Sequence, residues 1–254
     1  MRNLSVGIWG PPLWSFLHGI GTLATPADAE VVQRLVQGLT TLLPCILCSQ
    51  DYPHALLSVI ESRKQTAAEA CASNELLAFM YDLHGAVNTK LATQQYAKLK
   101  ALMAGHLPEV PTAAMVKLLE PSITLHTVER RGKLFARNPW SVEALWILAL
   151  LLCERTTQSA AAADYLAFLE CAARFLERLQ HSEDALRAGA RMRVAHRVLL
   201  RRSAEASEQG MHEAIVRVMR CAYSGENSEK RNRELAELLD LAVSKPGSPL
   251  RSAR

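Results

Sequence analysis

Aromatic residues make up only 6% of the 254-residue sequence, and runs of the β-branched residues that suit strands are almost missing. With alanine and leucine abundant instead, the composition favours helix over sheet. Long hydrophobic runs are absent too. The longest, Ala144 to Cys153, holds ten residues, where a membrane-spanning helix needs roughly 20. Charge of one sign is not in marked excess; a formal net charge of +4 does not imply a nucleic-acid partner. The first residues, Met1-Arg2-Asn3-Leu4-Ser5, run straight into chemistry-bearing positions and leave no room for a signal peptide. The expectation is a protein of the cytoplasm or nucleus. Six cysteines in such a compartment are not a secreted disulfide framework, and a redox pair there is usually catalytic.

Apolar periodicity and breakers predict an all-α chain. A first helix is expected from about Pro11 or Pro12 to Gly19, and a second from Asp28, as N-cap, to about Leu43. Pro44 breaks it, and a third opens near Cys45 and runs past Ile60. Residues 62–73 read as a polar connection. A fourth helix follows Ser73-Asn74, and a shorter one covers 95–104. Pro108, Pro111 and Pro121 punctuate a connecting segment at 106–124. Further amphipathic patterns lie at 140–154, 161–181, 183–208, 210–222 and 228–243. The expected organisation is a motif-bearing domain over 1–105, a helical region of unknown role over 125–243, and a disordered basic tail over 244–254. Trp146, ahead of Leu169-Glu170-Cys171, weakly echoes Trp14 ahead of Cys45. That echo is either a degenerate duplicate or, more simply, coincidence between Leu/Ala-rich helices.

Three groups of residues could carry chemistry. Cys45 and Cys48 fall at i and i+3 on an opening helical turn, so both sulfurs point to one side. Free N–H groups there stabilise a thiolate. The bland alternative is two buried cysteines packed as small hydrophobes, which the polar run Ser49-Gln50-Asp51 disfavours. No strand precedes the pair, against a thioredoxin-like setting. No second C-x-x-C or H-x3-H follows, so zinc lacks two ligands and no metal site is assigned. Trp14 and His18, at i and i+4, stack an indole and an imidazole on one face, a surface suited to a planar heterocycle. His84 and Asn88 repeat that spacing, with Lys90 just beyond. The one G-x-G-x-x-A string, Gly19 to Ala24, follows a predicted helix rather than a strand and is a decoy.

Taken together, Gly10, Trp14, Leu17, His18, Pro44, Cys45, Cys48, His84, Val87, Asn88 and Leu91 reproduce a signature in order and spacing. It is G-x-x-x-W-x-x-L-H, then P-C-x-x-C, then H-N-x-V-N-x-x-L. The chain resembles the Erv/ALR family of FAD-linked sulfhydryl oxidases. The resemblance implies a helical bundle that holds FAD between helices and oxidises protein thiols, with O2 as acceptor and H2O2 as product. It implies that Trp14 and His18 contact the flavin cofactor, and that His84, Asn88 and Lys90 hold its adenine-nucleotide side. Cys48 would lie against the flavin, and Cys45 would be the exposed interchange sulfur.

The sequence departs from the family pattern in places. Gly85 stands where the family has Asn after the histidine. Phe79 stands where the family usually has Trp and keeps a planar ring against the cofactor. No C-x-C shuttle and no distal C-x16-C pair is present; Cys153 and Cys171 are expected to be buried thiols. Cys71 is the best shuttle candidate, with a spare surface thiol the simpler reading. The helical region after 125 is similar in organisation to sulfhydryl oxidases of large DNA viruses, the baculovirus-type enzymes included, whose setting is the infected cell or virion. It would complete a dimer-like interface within one chain, serve a homodimer or recruit substrate. Arg193, Arg197 and Arg201 form a basic stripe, read as a solvated helix face. The competing reading is an Erv-like scaffold that has lost turnover and serves interaction.

Overall fold

The computed structural model describes residues 6–103, 107–138, 140–153, 156, 159–179, 183–203 and 208–223. Among them every regular element is helical and none is a strand, so the chain is all-α. None of these helices is long and apolar enough to cross a membrane. The expected helix at 228–243, the tail at 244–254 and the Cys221 side chain lie outside the described residues.

The first half contains α1 (Val6–Leu23), a 3-10 turn (Pro26–Asp28), α2 (Ala29–Leu42), α3 (Ile46–Arg63), α4 (Ala67–Ala72) and α5 (Leu76–Leu102). The remainder contains α6 (Ala113–Leu119), α7 (Leu125–Arg137), α8 (Trp140–Cys153), α9 (Ser159–Arg178), α10 (Glu183–Ser203) and α11 (Glu208–Tyr223). Five helices differ from the sequence reading, each for a local reason. α1 starts at Val6 and carries Pro11 and Pro12 inside. Their missing N–H groups leave only the carbonyls of Gly7 and Ile8 unpaired, in the first turn near solvent. Residues 62–73 are not a plain connection, because Thr66 and Glu69 form a capping box that starts α4. α5 absorbs the separate helix expected at 95–104, since no Gly or Pro interrupts Leu91 to Leu102. Thr112 and Thr124 cap α6 and α7 through Met115 N and Thr127 N, giving two helices that periodicity alone missed.

One buried cluster runs through both halves. Phe16 on α1 is fully buried and meets Phe168 of α9 edge-on, with centroids 5.7 Å apart, and Phe135 of α7 at 6.0 Å. Glycine sets the approach of α7 to α1. A Cβ on Gly132 would come within 2.5 Å of the His18 carbonyl oxygen, and one on Gly19 within 2.5 Å of the Phe135 ring. The two backbones therefore cross closer than any other residue pair would permit. α9 lies along α2 in the same manner at Gly38, where Thr41 donates to Asp164 at 2.6 Å. Arg34 pairs with Glu170 at 2.8 Å across the same seam.

Candidate active site

Pro44 ends α2 and presents Cys45 in an extended conformation as the N-cap of α3. Cys45 Sγ accepts the Cys48 N–H at 3.1 Å, the role Ser or Asp usually plays at a helix start. The two cysteines are joined in a disulfide, with Cα atoms 5.1 Å apart. Cys45 is not the exposed sulfur that the resemblance implies. Cys45 is 6% exposed and belongs to the core cluster, whereas Cys48 is half-buried and faces a cavity. The cap geometry is the reason: it folds the Cys45 side chain back over the first turn.

The cavity, about 530 Å³, lies between α1, α3 and α5, within the usual range for small-molecule sites. Trp14 from α1 and His84, Asn88 and Lys90 from α5 line it together with Cys48. Trp14 and His84 stack with centroids 3.8 Å apart and planes 3° from parallel. His18 is fully buried and does not line the cavity; its Nε2 lies 3.0 Å from His84 Nδ1. It fixes the His84 ring from behind, and its own Nδ1 has no hydrogen-bond partner among the described residues. Asn88 is buried and donates to the Pro121 carbonyl at 3.4 Å. Lys90 is exposed at the rim. Phe79 is fully buried in the core on α5 and forms no part of the cavity wall. The Gly85 position opens onto space, with nothing within 4 Å of where its Cβ would be.

Asp51, Gln94 and Arg131 are among the cavity residues that sequence reasoning missed. Gln94 donates to Asp51 at 2.5 Å across α5 and α3, and both line the wall. Arg131 arrives from α7, beside Gly132, and brings a cation from the second half of the chain. The Thr124 cap signal could have placed α7, but nothing local could have placed Arg131 at this cavity.

Both imidazoles are held neutral. Burial, then the Arg131 charge, keeps the His18 pKa well below 6.5. Burial first, then His18 and Arg131, does the same for His84. The unfolded chain takes up protons that the folded pair refuses, so the stability is present above pH 6.5 and lost below it. The expected loss is about 1.4 kcal/mol per pH unit for each ring. Urea midpoints between pH 7 and 5 check this, and His84→Asn should flatten the slope.

The other cysteines among the described residues are sequestered. Cys71 is not a surface thiol: it is buried on α4 and its Sγ donates to the Thr25 carbonyl at 3.2 Å. Burial raises its pKa, with Asp28 adding to the effect. Cys153 and Cys171 are buried thiols, as expected. Trp146 is a buried core residue.

Compared with known proteins, the chain matches no protein-family model, no curated protein and no solved structure.

Proposed function

We propose that this chain is a FAD-dependent thiol oxidase that forms disulfide bonds in protein substrates. One observation carries the reading: a disulfide opens onto a cavity walled by a stacked Trp–His pair. The donor set fits the cofactor. Trp14 and His84 offer a flat apolar wall, Lys90 and Arg131 offer cations for a diphosphate, and Asn88 offers an amide. His18 positions His84, while Phe79 supports α5 from within the core.

The protein's own chemistry is thiol–disulfide exchange. A substrate thiolate attacks Cys45 Sγ, forming a mixed disulfide and breaking the Cys45–Cys48 bond. A second substrate thiol attacks the substrate sulfur of that mixed disulfide. It releases the oxidised substrate and leaves both cysteines reduced, with two electrons and two protons gained. Because Cys45 is 6% exposed, the first attack requires the Pro44–Cys45 corner to open as substrate docks. Negative charge on Cys45 is stabilised by the Cys48 N–H and the free N–H groups of the α3 start. Cys48 faces the cavity, which supports a role for it in passing electrons inward. Bound FAD would supply the step to O2, taking two electrons from the reduced pair and yielding hydrogen peroxide. The helices after residue 125 cover α1 and α2 as a dimer partner would, within one chain.

The test is an absorption spectrum of the purified protein, followed by oxygen uptake on adding a dithiol. A flavin spectrum with dithiol-dependent peroxide production is expected. A colourless protein that consumes no oxygen even with added FAD would sink the proposal and leave an Erv-like binding scaffold.

A further inference from the structure

A second cavity, about 440 Å³, lies between α9 and α10 and shares no lining residue with the first. Its walls are polar and unevenly charged. α9 contributes Arg174 and Arg178, and α10 contributes Arg193 and Arg197. Glu170 and Glu177 are the two carboxylates in the walls. Gly189 lets the helices close tightly beside the cleft, since a Cβ there would lie 2.8 Å from Glu177 Cγ and 3.2 Å from the Ala173 carbonyl oxygen.

The guanidiniums are not equally committed. Arg178 grips the buried Asp28, with Nη2 2.7 Å from Oδ1. Arg174 pairs with Glu170 at 2.8 Å, and Arg193 pairs with Glu177. Arg197 lines the cleft and has no carboxylate partner among the described residues. With Arg34 on the outer side of Glu170, where it also pairs with Glu30, and Asp28 behind Arg178, five guanidiniums meet four carboxylates. A guanidinium does not lose its proton in a protein, so the excess of one positive charge, that of Arg197, is permanent. His196 lies in the same wall. Burial outweighs the opposing pull of Glu170, with Arg34 and Arg197 adding to it, and keeps the ring below its ordinary pKa. At neutral pH it is therefore an uncharged hydrogen-bonding group.

We propose that this cleft binds a diphosphate-bearing anion, inorganic pyrophosphate or the diphosphate of a nucleotide, with Arg197 as the primary contact and Arg193 and Arg174 completing the clamp. Forked guanidiniums match paired phosphate oxygens. The concave shape and limited volume favour a small anion over an extended nucleic-acid strand. Arg193 can turn toward the ligand at the expense of Glu177, so that carboxylate competes with the anion.

The test is calorimetric titration of the full chain with inorganic pyrophosphate and, separately, with ADP. Arg197→Gln should weaken binding at least ~10-fold. Glu177→Gln should tighten it, roughly 3-fold or more, by freeing Arg193. Equal affinity for the two probes would mean that the phosphates alone are read; tighter ADP would add a nucleoside contact. Both outcomes support the cleft. No saturable binding to either probe overturns it, as does weakening by Arg130→Gln, on the exposed face of α7, equal to that by Arg197→Gln. Binding lost in Arg131→Gln but kept in Arg197→Gln also overturns it, placing the anion at the Trp14 cavity.

Discussion

Replacing Cys48 with Ser is expected to lower dithiol-dependent oxygen uptake by at least ~1000-fold while flavin remains bound. Serine cannot form or exchange a disulfide, so no pair is left to accept the substrate's electrons. The sulfur that faces the cavity is also lost. Cys45 stays at the N-cap, 6% exposed and in the core, as a lone thiol with no disulfide for a substrate thiolate to attack. The substitution changes one atom at the mouth of the cavity and leaves the Trp14–His84 stack untouched. Flavin absorbance and oxygen uptake, measured on the same sample, separate chemistry from cofactor retention. Uptake above a tenth of the parent value in Cys48→Ser would show that the disulfide is not the entry point for electrons. Cys71→Ser serves as the control, since its buried thiol is bonded to the Thr25 carbonyl.

Asp28→Ala is expected to destabilise the fold by about 3–5 kcal/mol, the usual result of breaking a buried ion pair from one side. Asp28 has no exposed surface. Its Oδ2 accepts the Thr25 N–H and hydroxyl, each at 2.8 Å, and both of its oxygens meet Arg178 of α9. Removing the carboxylate strands a guanidinium at the seam between the two halves of the chain and frees the Thr25 donors. Arg178 is 33% exposed, so water recovers part of its solvation and the lower end of that range is the better expectation. Burial pushes the Asp28 pKa up, but the Arg178 and Thr25 hydrogen bonds and the Arg178 charge outweigh it. The result lies below 3.8. A depressed carboxylate stabilises above its unfolded pKa, so the contribution is complete above about pH 4 and lost as pH falls through the folded value. Urea midpoints at pH 7 and pH 3 should differ less in the variant than in the parent. Equal midpoints for variant and parent at pH 7 would mean that the corner does not hold the halves together.

Local rules made the helices readable. The α2 stripe from Val31 to Leu42, the stop at Pro44 and the start after Asn74 all depend on residues within one or two turns, and all appear where expected. The pairing of Cys45 with Cys48 and the i, i+4 pairs on α1 and α5 were equally legible, because helical geometry alone brings those side chains to one face. The errors have a common origin. Two prolines suggested a later start for α1, and threonine caps were passed over, because periodicity does not see a boundary whose evidence is one hydrogen bond.

By itself the sequence determined that the chain is helical and which helix carries each candidate site residue. Only the tertiary structure decided which of them meet. His84 stacks on Trp14 while His18 withdraws behind it. Phe79 belongs to the core, Cys45 is covered, and Arg131 crosses to the cavity from α7. Asp28, which reads as a helix cap, makes no side-chain cap of α2 and instead holds an arginine 150 residues away. These outcomes turn on how closely α1, α7 and α9 approach. That spacing depends on glycines and core volumes acting across the chain, and no short stretch of sequence carries it.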